Sequence, residues 1–286
     1  MQTQKLVFFG EDSFSDIVLR SLIEAHYDVR LVVVPWFDNV IYKRLELTCR
    51  KFGIQFLRVH KINSDEVCQA VRACNPDLGV IVHLSRLIRH DLMMIPTYGY
   101  INLHPALLPD YRGETPQHWP LINREKKAGI TVHYIDETAD TGDIIVQRVF
   151  DLNEEMYVSD LQLKWREEYK TIVVEALEAI REGRPVVHQK NLAGRYYGKL
   201  SESDRIIDMA GSVYDAYAKV RALSLPYCGA ICGDFVVYRA HISSYDRMGV
   251  PFRDGSLVLD TFKSLHKCKE DGGLNGDNSQ EGGCHA

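Results

Sequence analysis

The feature that most constrains the fold is an alternation of short apolar segments with amphipathic ones in the first part of the chain. Residues 5–9 form an apolar run that stops at Gly10, after which apolar residues recur at helical spacing as far as Ala25. The alternation continues, and it predicts strands at 29–34, 55–59 and 78–83 and helices at 42–52 and 65–74. Because valine and isoleucine are frequent in these strands, we expect a doubly wound α/β fold, with a mostly parallel, twisted sheet and helices on both faces.

The chain changes character near residue 190, which indicates a second domain. Before this point, the pattern predicts paired strands at 129–135 and 144–150 and one long amphipathic helix at 159–182. Beyond it no strand–helix–strand unit recurs, and we expect one helix at 213–223 and short strands at 230–232, 235–242 and 257–259. The predicted organisation is an α/β domain at 1–190, a linker at 191–200, a small β-rich domain at 201–267 and a polar, disordered tail at 268–286.

Composition argues against two classes of partner. The net charge of −5 gives this chain of 286 residues no general attraction to nucleic acid. Its first residues lack a basic segment followed by an apolar one, and no later apolar run approaches the roughly 20 residues that a membrane span requires. We therefore expect a cytoplasmic protein that binds neither nucleic acid nor membrane.

The cysteines do not indicate a metal site. The chain has seven, an odd number, and they are scattered, which argues against a disulfide framework. Cys228 and Cys232 could supply two metal ligands, but no second pair or histidine cluster lies nearby in the sequence. Because free cysteine behaves as a small apolar residue, we expect buried thiols here and no metal.

An amide, an imidazole and a carboxylate stand where their side chains can meet. Asn102 and His104 are two residues apart on a predicted strand, so both side chains leave the same face. Turn-forming prolines follow and end the strand, and strand ends are where open α/β sheets bind ligands. Asp140 lies in an acidic turn between the two later strands.

These residue types suit acyl transfer to an amine. An asparagine amide and an imidazolium can donate hydrogen bonds to the oxyanion that forms when an amine attacks a carbonyl carbon. Asp140 could take the proton that the amine loses, directly or through a water, or could raise the pKa of His104 by proximity. The residues alone leave a second interpretation equally open, in which His104 caps a loop and Asn102 and Asp140 hold turns.

Longer motifs around the trio separate these interpretations. Asn-Leu-His-Pro-x-Leu-Leu-Pro-x-Tyr-Arg-Gly at 102–113, Gly-Ile-Thr-Val-His-Tyr-Ile-Asp at 129–136 and Asp-Thr-Gly-Asp-Ile at 140–144 closely resemble the folate-dependent formyltransferase family. The resemblance covers about residues 5–185. It implies a Rossmann-like fold, 10-formyltetrahydrofolate as the formyl donor, and a catalytic trio formed by Asn102, His104 and Asp140.

The resemblance also implies where the two substrates bind. Arg86, Leu87 and Ile88 match the segment that receives the pterin of the folate, and the loop from Glu137 to Asp140 matches the opposite wall. Ordinary core packing is an alternative for Leu87 and Ile88. The acceptor then approaches from the side of two turns, whose matching residues are Gly10, Ser13, Phe14, Arg112, Gly113 and Glu114.

Other segments bear on the acceptor amine. The loop at 35–42 is short and aromatic, whereas the resemblance would require a longer, basic loop for a tRNA substrate. The segment Val-Arg-Ala-Leu-Ser-Leu-Pro-Tyr-Cys-Gly-Ala at 220–230 is similar to a segment of sugar N-formyltransferases, with Cys228 where proline is usual.

The resemblance therefore favours a homodimer that formylates a dTDP- or UDP-linked 4-amino sugar for surface polysaccharide such as lipopolysaccharide. A methionyl-tRNA formyltransferase, a 10-formyltetrahydrofolate hydrolase and a non-catalytic folate or nucleotide-sugar binding module remain as alternatives.

Overall fold

A seven-stranded sheet organises the first part of the molecule. The computed structural model describes residues 4–37, 40–190, 192–244 and 248–265. The strands up to residue 151 are β1 (Lys5–Gly10), β2 (Asp28–Pro35), β3 (Gln55–Val59), β4 (Leu78–Val82), β5 (Tyr100–His104), β6 (Arg112–Gly113), β7 (Lys127–Tyr134) and β8 (Ile144–Asp151). All but β6 join one sheet in the order β3-β2-β1-β4-β5-β7-β8. Strands β1 to β5 pair in parallel and β7 runs antiparallel to β5, which confirms the predicted Rossmann-like fold.

Two of the helices of this part begin at a capping side chain, Asp12 for the first and Ser64 for the third. In chain order the helices are α1 (Ser13–Glu24), α2 (Lys43–Phe52), α3 (Asp65–Cys74), α4 (His90–Met93), α5 (Trp119–Ile122), α6 (Val158–Glu168) and α7 (Ile172–Arg181). The carboxylate of Asp12 accepts the backbone N–H groups of Phe14 and Ser15 at the start of α1, at 3.0 and 2.9 Å. These bonds satisfy donors that have no partner within the helix.

The chain reverses its direction of travel across the sheet between β1 and β4. From β1 it runs outward to β2 and β3, and it then returns to place β4 on the other side of β1. Loops that follow two such strands diverge and leave a crevice at their carboxyl ends. Gly10 ends β1 in this crevice, and a Cβ atom there would lie 2.6 Å from Cβ of Ser15, so only glycine fits the turn.

The long helix expected at 159–182 is wrong as one element. The structure has α6 and α7 with a break at residues 169–171, where Lys170 and Thr171 donate to carbonyls three residues back, those of Glu167 and Glu168. Tyr169 stands at the break and is fully buried, with its hydroxyl 2.8 Å from Nε2 of His83. The tertiary contact of Tyr169 therefore accompanies a turn that helical periodicity alone does not reveal.

The last part of the chain forms a separate, antiparallel sheet. Its elements are β9 (Tyr196–Tyr197), α8 (Glu202–Arg205), α9 (Val213–Leu223), β10 (Ala230–Cys232), β11 (Phe235–Ser243), β12 (Val250–Phe252) and β13 (Gly255–Ser264). The four last strands pair in the order β10-β11-β13-β12. Helix α9 packs on this sheet through Val213, Val220 and Leu223, which are almost fully buried. The expected helix and strands are present, and β13 is longer than the sequence indicates.

Contacts between residues divide the described chain into two compact units. The first unit holds the chain up to Arg112 together with Gly129–Val149 and Lys164–Tyr196. The second unit holds Gly113–Ala128, Phe150–Leu163 and the chain from Tyr197. The predicted boundaries at residues 190 and 200 follow the chain rather than these contacts and stay a prediction. The tail expected at 268–286 lies outside the described residues, and among the described residues no helix meets the length and hydropathy needed for a membrane span.

Candidate active site

Four polar side chains meet beside the carboxyl end of β5. Asn102 and His104 leave one face of the strand, while Leu103 between them is buried with 2% exposure. The Oδ1 atom of Asp140, from the loop between β7 and β8, lies 3.4 Å from Nδ2 of Asn102 and 3.6 Å from Nδ1 of His104. The structure therefore brings together the three residues that the sequence singles out.

The fourth member, His133, was missed by the sequence analysis. It is the direct partner of Asn102 across the antiparallel pair of β5 and β7. Nδ1 of His133 donates to the carbonyl oxygen of Tyr134 at 2.7 Å, so the neutral ring offers a lone pair at Nε2 to the Asn102 amide, 3.1 Å away. His133 thus fixes which way the Asn102 amide points. The available signal was a histidine within an otherwise apolar strand.

The surroundings of His104 favour its neutral form. Burial lowers the pKa of His104, and repulsion from His83 acts in the same direction. Asp140 raises the pKa, as the sequence suggests, but burial outweighs it. Nε2 of His104 lies 2.8 Å from the carbonyl oxygen of Tyr111, which can only accept, so Nε2 carries the hydrogen. The lone pair of the neutral ring is therefore at Nδ1, on the side of Asp140.

The loop that carries Asp140 is held by hydrogen bonds from the buried side-chain amide of Gln189. Asp140 has a φ of 57°, a left-handed conformation that aspartate tolerates better than most residues. Gln189 is 1% exposed and donates to the carbonyl oxygens of Asp140 and Gly142, at 3.1 and 2.6 Å. Arg112 in turn donates to Gln189 Oε1 at 3.0 Å. Arg112, predicted on the acceptor side, thus supports the loop of the carboxylate.

A cavity of about 530 Å³ lies in the first unit, lined on one side by the loop that also carries Asp140, and contains most of the predicted pterin segment. Its lining includes Arg86, Leu87, Ile88 and Glu137. Leu87 is 69% exposed and available to a ligand, whereas Ile88 is 8% exposed and packs in the core, so core packing describes Ile88 only. Asn63 holds the segment through its backbone: Nδ2 donates to the carbonyl oxygen of Leu87 and Oδ1 accepts from the N–H of Arg89, both at 2.8 Å.

The residues predicted to face the acceptor fall into two groups. Gly10, Ser13 and Phe14 lie where β1 gives way to α1 in the first unit, and Phe14 is 8% exposed with its ring 5.3 Å from the ring of His83. Gly113 and Glu114 belong to the second unit, where the N–H of Glu114 donates to the carbonyl oxygen of Tyr197.

No group of three or more metal-ligating side chains occurs within the described residues. Cys232 is a buried free thiol, as expected, but Cys228 is disulfide-bonded, so the expectation of a free thiol is wrong at that position.

Sequence comparison connects this site to a family. A family model described as formyl transferase matches residues 5–177. The methionyl-tRNA formyltransferase of Carboxydothermus hydrogenoformans is 31% identical over 242 residues, which cover 82% of this chain and 76% of that protein. That of Pelotomaculum thermopropionicum is 31% identical over 234 residues, covering 79% and 74%. The chain belongs to the formyl transferase family.

Solved structures extend the likeness in fold to nearly the whole chain. WlaRD, a sugar 3N-formyl transferase crystallised with dTDP and 5-N-formyl-THF, superimposes with a TM-score of 0.71 at 16% identity, covering 91% of this chain and 98% of that one. An N-formyltransferase from Helicobacter canadensis, in complex with folinic acid and dTDP-3-aminofucose, gives 0.70 at 16% identity, covering 90% and 99%. At this identity the likeness shows the shared fold alone.

Proposed function

We propose that this enzyme transfers a formyl group from 10-formyltetrahydrofolate to the amino group of a nucleotide-linked 4-amino sugar carrying dTDP or UDP. The observation that carries the proposal is the convergence of Asn102, His104 and Asp140 on one point, with Glu137 of the Asp140 loop lining the same cavity as Arg86 and Leu87. The cavity would receive the pterin of the donor, with Glu137 on its opposite wall and Asp140 further along the same loop.

The geometry supports a direct transfer through a tetrahedral intermediate. The amine nitrogen forms a bond to the formyl carbon, and the carbonyl oxygen becomes an oxyanion. The Asn102 amide stabilises it by turning towards it the hydrogen that otherwise points at Asp140, 3.4 Å away. The lone pair at Nδ1 of His104 accepts the proton that the amine loses, assisted by Asp140. The resulting imidazolium also faces the oxyanion and returns the proton to the folate nitrogen as its bond to carbon breaks. The products are a formamide and tetrahydrofolate, so every atom and proton is accounted for.

Two observations support a sugar acceptor. The stretch 197–265 carries eight basic and eight acidic residues, so it supplies no excess positive charge for a polyanion such as tRNA. The sugar N-formyltransferases named above match this chain over nine tenths of its length, which includes the small antiparallel sheet. The product would be an N-formylated sugar for surface polysaccharide.

Methionyl-tRNA is the second candidate acceptor. It is favoured by one observation, the 31% identity with methionyl-tRNA formyltransferase over 82% of the chain. The same catalytic geometry serves either amine, so the acceptor must be distinguished by assay.

An acceptor panel tests the proposal. Purified protein is incubated with 10-formyltetrahydrofolate and, separately, with dTDP-4-amino sugars, UDP-4-amino sugars, methionyl-tRNA or no amine, and each product is identified by mass spectrometry. We expect formylation of a nucleotide sugar. Formylation of methionyl-tRNA alone would establish the second candidate. Equal consumption of the donor without any amine would indicate a hydrolase, and no turnover with donor bound would indicate a binding module.

The quaternary structure and location belong to the same proposal. The family resemblance supports a homodimer in the cytoplasm, without nucleic acid or membrane as a partner. Sedimentation of the purified protein and fractionation of cells test these two points.

A further inference from the structure

A second polar cluster lies in the crevice between β1 and β4, and the proposed reaction does not use it. His83 follows β4 directly, and its two ring nitrogens lie 2.8 Å from Oδ2 of Asp12 and 2.8 Å from the hydroxyl oxygen of Tyr169. The side chains of His83 and Asp12 are 18% and 19% exposed, and Tyr169 is fully buried. A carboxylate, an imidazole and a phenol thus form one chain within the first unit.

Two features of the backbone fix this chain of hydrogen bonds. Oδ1 of Asp12 is engaged by the first N–H groups of α1, so Oδ2 is directed at the imidazole. His83 itself has a φ of 50°, in the left-handed region that side chains rarely adopt. Such a conformation is kept only where the surrounding structure imposes it, and it is common at functional sites.

The groups around His83 favour a charged ring. Asp12 and Glu11 face it from the segment between β1 and α1, and Tyr169 faces it from the break between α6 and α7. From α1 it meets the ring of Phe14, whose other contacts include the Arg166 guanidinium at 5.0 Å. Val82 pairs with Leu103 in the parallel register of β4 and β5, so His83 and His104 are the next residues on these two neighbouring strands.

The balance of these effects is opposite to that at His104. Burial disfavours the charged form of His83, but the carboxylate of Asp12, followed by that of Glu11, outweighs burial and raises the pKa of His83. Reciprocally, burial opposes ionisation of Asp12, but His83 and the bonds from Ser15 hold the pKa of that carboxyl below its usual range. Both shifts favour the form in which Asp12 is an aspartate and His83 an imidazolium.

We propose that His83, clamped between Asp12 and Tyr169 at the end of β4, is a positioning residue that places a positive charge beside His104 at the end of β5 and adds to the effect of burial in favouring the neutral His104 ring. The meaning of this arrangement for catalysis rests on the proposed function, because a neutral His104 is the form that can accept the amine proton at Nδ1. The charge on His83 does not depend on which acceptor is used. Repulsion from His83 is one of the effects that lower the pKa of His104.

Nitrogen NMR of the full chain tests the charge on His83 without any variant or substrate. The signals of the 11 histidines are resolved in protein labelled at the ring nitrogens, and His83 and His104 are assigned from the spectra of His83→Gln and His104→Gln. At pH 7 we expect both nitrogens of His83 to carry hydrogen and His104 to show one protonated and one unprotonated nitrogen. A neutral His83 at pH 7 would overturn the proposal.

Two variants then test the effect of that charge on His104. His83→Gln removes the charge and keeps a polar side chain, and the midpoint of the His104 titration should rise by up to about one pH unit, the order expected for one charge on a neighbouring strand at an effective dielectric constant near 20. Tyr169→Phe is the matched control, because it removes one hydrogen bond and leaves the charge, so the midpoint should stay where it is. An unchanged midpoint in His83→Gln, in protein whose circular dichroism matches the parent, would overturn the proposal.

Activity provides a separate readout. If formyl transfer is confirmed, the acidic limb of kcat/KM in His83→Gln should move to higher pH by about the same unit, since His104 then becomes protonated sooner. A purely structural role for His83 would lower the rate without moving this limb. If no acceptor is formylated, the proposed function fails while the NMR result still decides the charge on His83.

Discussion

Two histidines in the first unit, His104 and His83, have pKa shifts in opposite directions, although burial disfavours the cation at both. At His104 burial prevails, because the nearest carboxylate oxygen, on Asp140, stands 3.6 Å from Nδ1. At His83 the carboxylate prevails, because Asp12 forms a hydrogen bond of 2.8 Å to Nδ1 and Glu11 adds to it. A difference of 0.8 Å in the approach of a carboxylate therefore accompanies the difference between a proton acceptor and a fixed cation.

The two histidines have different proposed roles: His104 transfers a proton, whereas His83 provides a fixed positive charge. His104 has to exchange a proton during the reaction, so its neutral form must be accessible near neutral pH. His83 has both ring nitrogens engaged, by Asp12 and Tyr169, and no route for exchange follows from these contacts. The following predictions test the two environments, beginning with the largest effect.

Loss of the proton acceptor should have the largest effect. His104→Gln keeps a side chain that can donate to the carbonyl oxygen of Tyr111 but cannot take a proton, so kcat should fall by about 10³. Steady-state kinetics with a formyl donor and an accepted amine measures this. The exposed His26 at the end of α1 provides the matched control, and His26→Gln should keep parental kinetics. Comparable rates for His104→Gln and parent would remove His104 from the mechanism.

Asp140→Asn should reduce kcat by about 10² and move the pH profile. Asp140 raises the pKa of His104, so without this carboxylate the pKa falls further and the acidic limb of kcat/KM shifts to lower pH. This is the opposite direction to the shift expected for His83→Gln. A pH profile that superimposes on that of the parent would contradict the assignment of Asp140.

Loss of the His133 ring, whose Nε2 lone pair orients the Asn102 amide, should reduce kcat less than Asp140→Asn does. His133→Leu fills a similar buried volume but cannot accept from the Asn102 amide, and we expect kcat to fall about tenfold with little change in either KM. His133→Gln restores an acceptor oxygen and should recover part of the rate. If leucine and glutamine variants were equally active, His133 would contribute packing only.

The smallest predicted effect is on the free energy of unfolding, through the carboxyl group of Glu11. Burial raises the pKa of Glu11 to about 7 from 4.5, against the hydrogen bonds from Ser85. Because folding raises the pKa of the Glu11 carboxyl group, its contribution to stability is fully present below its pKa in the unfolded chain. This contribution is lost as the pH rises through the folded pKa of about 7.

Glu11→Gln removes this dependence. Between pH 5 and pH 8, its free energy of unfolding should gain about 1 to 2 kcal/mol relative to the parent, as measured by urea denaturation. A constant difference between the two proteins across this range would show that Glu11 ionises normally.

Much of the fold was predictable because local signals and tertiary structure agree. The bounds of β3 and α3 match the predicted 55–59 and 65–74, and α3 begins and ends at capping residues, Ser64 and Asn75. The break between α6 and α7 was not predictable, because Tyr169 leaves the helix for a partner 86 residues away. Local propensity contains no information about such a contact.

The residues of the candidate site also fall into those that the sequence predicts and those that it does not. Asn102 and His104 share a face by strand periodicity alone, and the surrounding motif connects them to Asp140. His133 was missed because its role depends on the antiparallel register that sets it opposite Asn102. Gln189 was missed because its amide reaches the Asp140 loop across 49 residues of chain.

A competition between the two candidate acceptors tests the central claim most directly. Parent protein, labelled 10-formyltetrahydrofolate, a dTDP- or UDP-linked 4-amino sugar and methionyl-tRNA are combined in one reaction, and the label in each product is counted. The account predicts that the label accumulates on the nucleotide sugar and that His104→Gln abolishes the transfer. Label on methionyl-tRNA in preference to the sugar, with the same dependence on His104, would contradict the assigned acceptor.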